Sequence, residues 1–117
     1  MGSKRNRTAG HNFERTIINE LKELGIFPGA VSARSESKNT DDAGIDICNT
    51  PGFAFQCKNT VITPNYHELI TTMPQVPGVK NIVIHRKTKK AKSKFVTQGD
   101  YVILSKTAFY HLLKQLS

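Results

Sequence analysis

The chain has 117 residues, 38% of them hydrophobic, with 17 Lys and Arg against nine Asp and Glu for a net charge of +8. That length supports one domain with a single modest core, and no apolar run approaches the roughly 18 residues that cross a bilayer. The basic, polar N-terminus lacks the apolar segment of a signal peptide, Asn6 breaks the myristoylation pattern, and the charge excess points to a polyanionic partner.

Residues 1–9 are polar, basic and aperiodic, which predicts a disordered tail; residues 10–117 form the domain. From Gly10 to Leu24 the period is helical. Phe13, Ile17, Ile18, Leu21 and Leu24 share an arc of about 140°, and Gly25 stands at the C′ position. Val31–Arg34 is a short strand signal, followed by a polar loop, "SESKNTDDAG". Gly44–Cys48 and Phe53–Lys58 read as two strands joined through the turn residues "NTPG". Pro64–Thr72 predicts a short helix starting near Asn65, and "NIVIH" (Asn81–His85) a β-branched strand. The Lys-rich stretch that follows predicts a loop or hairpin arm. "KFV" and "DYVILS" add one or two strands with "TQGD" as their turn, and Thr107–Leu116 a closing helix with Phe109, Leu112, Leu113 and Leu116 inward. The order α-β-β-β-α-β-β-α predicts an α/β domain with a mixed central sheet flanked by helices.

Two cysteines, Cys48 and Cys57, each inside an apolar strand, suit reduced thiols and hence an intracellular, cytoplasmic chain (host cytoplasm for a viral one). The four histidines are scattered, so a structural zinc site is not expected. Basic residues concentrate twice: Lys4, Arg5 and Arg7 in the tail, and Arg86, Lys87, Lys89, Lys90, Lys92 and Lys94 within ten residues that hold no acid. Four of the nine acids, Glu36, Asp41, Asp42 and Asp46, crowd into eleven residues. That crowding fits a held cation or a solvated acidic loop equally well.

Alternation along the strands sorts the rest. Phe53, Phe55 and Cys57 share one face, while Gln56 and Lys58 share the other with Asp46 of the preceding strand. Glu14 falls inside the apolar arc of the first helix, where a carboxylate is costly unless a cation lies close by. A wet strand face and a slightly rotated helix would also produce these positions. Read together, Glu14, Asp46, Gln56 and Lys58 make an oxygen-rich set with one lysine. Such a set suits Mg²⁺ and phosphodiester hydrolysis, with Lys58 positioning a water or stabilising developing charge.

"GIDICNTPGFAFQCK" resembles the central motif of the PD-(D/E)XK nuclease superfamily, and "GHNFERTIINELKELG" resembles its first helix. Size, order and basicity are most similar to small Holliday-junction resolvases of archaeal and phage type. The specific motifs cover residues 10–58. The resemblance implies a restriction-endonuclease-like α-β-β-β-α-β core. It also implies metal binding by Glu14, Asp46 and Gln56, a catalytic Lys58, Mg²⁺ (with Mn²⁺ substituting) as cofactor, and a homodimer that nicks branched double-stranded DNA symmetrically. Arg34 and Ser35 fall near the loop where resolvases place a further functional residue. Ile45 stands where the motif has Pro, and Gln56 where it has an acid. Gln-x-Lys is also the form of Mrr-like endonuclease domains, so a duplex endonuclease and a non-catalytic DNA-binding module stay open. Asp41 and Asp42 could serve a second metal or cap the loop.

Overall fold

The computed structural model describes residues 4–117, with side chains from residue 8 onward. Helix α1 runs Lys4–Glu23, so residues expected to lie in an aperiodic tail form its first turns. The physical reason is cooperativity. Once the amphipathic stretch is helical, each further residue gains a backbone hydrogen bond at small cost, and Lys, Arg and Ala are good helix formers. The basic side chains of Lys4, Arg5 and Arg7 lie outside the described residues.

Five strands follow: β1 (Val31–Ser32), β2 (Ile47–Cys48), β3 (Phe53–Thr60), β4 (Lys80–Ala91) and β5 (Lys94–Ile103). They form one sheet in the order β1-β2-β3-β4-β5. Among the described residues only the β3–β4 pair is parallel; its crossover carries helix α4 (Tyr66–Thr72), N-capped by the Asn65 side chain. The domain is thus α/β with a mixed sheet, as the element order predicts. Two short helices, α2 (Ala33–Glu36) and α3 (Lys38–Asp42), replace the expected loop. Ser32 and Ser37 cap them by accepting from the Arg34 and Thr40 amides, a local hydrogen-bonding signal too short to show as periodicity.

The turn between β2 and β3 has the chemistry its residues dictate. The Phe53 amide donates to Thr50 O at 3.0 Å, with Pro51 and Gly52 (φ +83°) in the middle, as a type II turn requires. The Lys-rich stretch is a hairpin arm. β4 and β5 pair from Val83↔Ile103 to Ala91↔Lys94, with one irregularity at Lys87/Thr88 that takes up the expected "TQGD" turn as a bulge within a single strand. The arm draws the molecule out to 47 × 29 × 28 Å.

The core lies between α1 and the sheet. Phe13, Ile17 and Ile18 bury against Phe27, Ala30, Ile47, Phe55, Ile82 and Ile84, and Phe27 stands edge-on to Phe53 and Phe55 at 5.6 and 6.1 Å. Leu24, though within the apolar arc, is exposed because it lies at the end of α1, past the sheet. The closing helix α5 (Lys106–Gln115) contains no buried residue. The inward face expected for Phe109, Leu112, Leu113 and Leu116 is corrected: all but the half-buried Leu112 are exposed. Edge strand β5 is itself largely solvent-facing, so it gives the helix little to bury against. Among the described residues no helix is long and apolar enough to cross a membrane.

Candidate functional site

The site forms where β2 and β3 part. Their ladder pairing is limited to Ile47↔Phe55, and one residue earlier the Asp46 amide still donates to Phe55 O at 2.8 Å. Beyond that point the Asp46 side chain takes over the backbone's role. Its Oδ2 accepts the Cys57 amide at 2.7 Å, satisfying a donor that the diverging strand has left unpaired. The Asp46 carbonyl accepts from the Ala33 amide at 2.9 Å, which ties α2 to the same place.

Burial dominates the electrostatics. Desolvation lifts the Asp46 carboxyl from 3.8 to about 6, opposed by the Cys57 hydrogen bond, raised further by the charges of Glu14 and Asp41, and lowered by Lys58. Glu14 is 8% exposed and is likewise raised by burial, with Arg34 pulling it down and Asp41 pushing it up. The compensating cation that a buried Glu14 demands is therefore Arg34, whose Nε lies 3.4 Å from Glu14 Oε1. Cys57, beneath Asp46, is held as a neutral thiol by burial and by the two carboxylates, and both cysteines are free.

Gln56 sits between the two residues that Asp46 contacts. Its Nε2 lies 3.2 Å from where a Cβ on Gly44 would stand, and Gly44 has φ +86°, so glycine alone fits that approach to the amide. Gln56 Oε1 is buried and has no hydrogen-bond partner. Two carboxylates and an amide oxygen are ligands of the type that hard divalent cations accept while retaining waters. No larger His, Cys, Asp or Glu cluster able to hold an ion occurs among the described residues.

Glu14, Asp46 and Lys58 thus lie within one electrostatic neighbourhood, and Gln56 adjoins Asp46 through the strand. Asp41, at the end of α3, contributes charge to that neighbourhood, while Asp42 is exposed. Ser35 is exposed and donates its hydroxyl to Ser32 O.

The basic residues divide. Arg86 makes two 2.8 Å hydrogen bonds to Asp100 and lies over the Phe13 ring at 4.7 Å, so it anchors the arm to α1. Lys87 donates to Val61 O and to Gln98 Oε1. Lys89, Lys90, Lys92 and Lys94 are exposed on the arm.

One network escapes the sequence pattern. Lys58 and Gln56 are register partners of His85 and Val83, and His85 is 1% exposed. Its Nε2 lies 2.9 Å from Thr60 Oγ1 and its Nδ1 3.2 Å from Tyr66 Oη. Because the Thr60 hydroxyl donates to Ile62 O at 2.7 Å, it must accept from His85. That places the proton on Nε2, with Tyr66 donating to Nδ1. Burial and the charge of Lys87 lower the His85 pKa, opposed by Asp100. The signal was a histidine ending an otherwise apolar run.

Compared with protein-family models, with curated proteins and with solved structures, the chain matches none.

Proposed function

We propose that the chain is a metal-dependent, structure-selective DNA endonuclease with a restriction-endonuclease-like core, which resolves four-way junctions by paired nicks. The observation that carries this reading is the electrostatic coupling of Asp46 with Glu14 and Lys58 where β2 and β3 part, with Gln56, whose Oε1 is orphaned, two residues before Lys58 on β3. Glu14, Asp46 and Gln56 would hold a Mg²⁺ (Mn²⁺ substituting), which when bound neutralises phosphate charge and acidifies a water. Lys58 orients the attacking water and offsets the charge that builds on the phosphate oxygens. The Cys57 amide fixes the Asp46 carboxyl, and Arg34 balances Glu14 at the rim. Lys89, Lys90, Lys92 and Lys94 grip the phosphate backbone. Paired nicks call for two sites, and the exposed apolar residues of β5 and α5, Tyr101, Val102, Phe109 and Leu113 among them, suit a twofold contact between copies.

The test is cleavage of a four-way junction and of linear duplex in Mg²⁺. Symmetric nicking of the junction, lost by at least about 10³-fold in Asp46→Ala and Lys58→Ala, is the expected result. Equal cutting of linear duplex favours an Mrr-like endonuclease, a reading that Gln56 in the acid position supports. Junction binding without cleavage in Mg²⁺ or Mn²⁺ leaves a non-catalytic module.

A further inference from the structure

Three and four residues beyond Lys58, the chain turns through two apolar side chains whose backbone is clamped from within. Thr60 donates to Ile62 O at 2.7 Å, and Lys87 Nζ donates to Val61 O. Thr60 is itself held by His85, and His85 by Tyr66. The carbonyls are fixed, yet the side chains stay in solvent: Ile62 is 81% exposed and Val61 41%. A loop that only connects β3 to α4 gains nothing from rigidly presenting two β-branched hydrophobes to water.

Ile62 stands at a cleft of about 740 Å³ whose other walls include Ala9 of α1 and Thr88, Phe95 and Thr97 of the hairpin. The same hairpin carries Lys89, Lys90, Lys92 and Lys94, and no acid occurs from Arg86 to Gly99. The cleft itself is lined by Val61, Ile62, Phe95, Arg86 and threonines, and with the lysines farther along the hairpin it suits an occupant that is flat or apolar at its centre and anionic at its edge. An unstacked nucleotide has both properties.

The geometry points to Val61–Ile62 as an apolar wedge that enters DNA at a branch point, with the displaced nucleotide lodging in this cleft; the inference rests on the nuclease reading and explains its preference for structure. Inserting an aliphatic side chain between bases costs a few kcal/mol of stacking, and least where stacking is already interrupted. A rigid wedge beside the cutting residues thus favours branched over continuous duplex. Thr60 is a positioning residue, acting through the Ile62 carbonyl.

The experiment uses a four-way junction with 2-aminopurine at the exchange point, bound in metal-free buffer. Wild-type protein should raise the fluorescence severalfold. Ile62→Ala should bind linear duplex as wild type does, while losing the fluorescence rise and about tenfold of its junction preference. Thr60→Val should show the same loss and Thr60→Ser should restore the signal, which a loop with a merely structural role would not do. Binding without a fluorescence rise, or an Ile62→Ala protein indistinguishable from wild type, overturns the wedge. A wild-type signal with no cleavage in Mg²⁺ or Mn²⁺ leaves the wedge standing and sinks the nuclease reading. Absence of any DNA binding overturns both.

Discussion

Phe13 and Phe109 are helical phenylalanines that the 3.6-residue period assigns to inward faces, yet Phe13 is 2% exposed and Phe109 46%. Phe13 lies in α1, which packs across β3 and closes the main core. Phe109 lies in α5, which follows an edge strand that is itself open to solvent. Periodicity identifies a face that wants company and is silent on who supplies it. In the first half of the chain the sheet does. In the second half a second copy of the chain is the company proposed above.

Stability separates the two faces most sharply. Phe13→Ala should cost about 3–5 kcal/mol, because it empties a packed site and removes the ring beneath Arg86. Phe109→Ala, measured by denaturant melts at nanomolar protein, should change stability by less than about 0.5 kcal/mol. A comparable loss at Phe109 under those conditions would mean that α5 packs on its own sheet. The next effect is on association. Leu113→Asp and Val102→Asp place a charge in the proposed twofold contact and should weaken the dimer by at least about tenfold in sedimentation, with the fold unchanged by circular dichroism. If both variants sediment as wild type does, β5 and α5 are not the dimer surface.

The same contrast shows why some of the molecule was legible beforehand. Strand alternation correctly separated Phe55 and Cys57 from Gln56 and Lys58, because a sheet with one face under α1 must segregate them. The cost of burying a carboxylate singled out Glu14 for the same reason. Other features depend on partners distant in the chain. Arg34 reaches Glu14 across 20 residues, and His85 meets Thr60 only once the parallel β3–β4 register is set. Helices α2 and α3, at four and five residues, are shorter than any period that could announce them. Gly44–Cys48 contributes only Ile47–Cys48 to the ladder, because Asp46 spends its side chain on the Cys57 amide where the strands part.

A smaller effect tests the buried side of the comparison through pH. The Asp46 carboxyl titrates near pH 6 when folded against 3.8 ordinarily, so between those values the native state holds more protons than the unfolded one. Stability of the metal-free protein should therefore fall as pH rises from about 4 to 6, the deficit being complete above that window. Asp46→Asn keeps an acceptor for the Cys57 amide and carries no charge. It should be more stable than wild type by about 1–2 kcal/mol at pH 7–8, with the gap closing below pH 4. Added Mg²⁺ should narrow the gap from the other side, by stabilising the wild type alone. A gap that is independent of pH would show that burial is not what strains this carboxyl.

The smallest effect concerns the arm, where the two regions meet. Arg86 is committed to Asp100 and Phe13, whereas Lys89 and Lys90 are exposed beyond it on the same strand. Each exposed lysine that touches a phosphate releases about one counterion, so its loss flattens the dependence of binding on salt rather than altering the fold. Lys89→Gln with Lys90→Gln should lower the slope of log affinity against log salt by about 2 for junction and duplex alike, and leave the melting curve in place. Arg86→Gln should do the reverse. It leaves Asp100 unpaired and uncovers the Phe13 ring, so the protein loses stability while the salt slope stays close to that of the wild type. Should Arg86→Gln flatten the slope instead, the arginine belongs to the DNA surface, and the boundary between the packed region and the partner-facing one moves inward to Phe13.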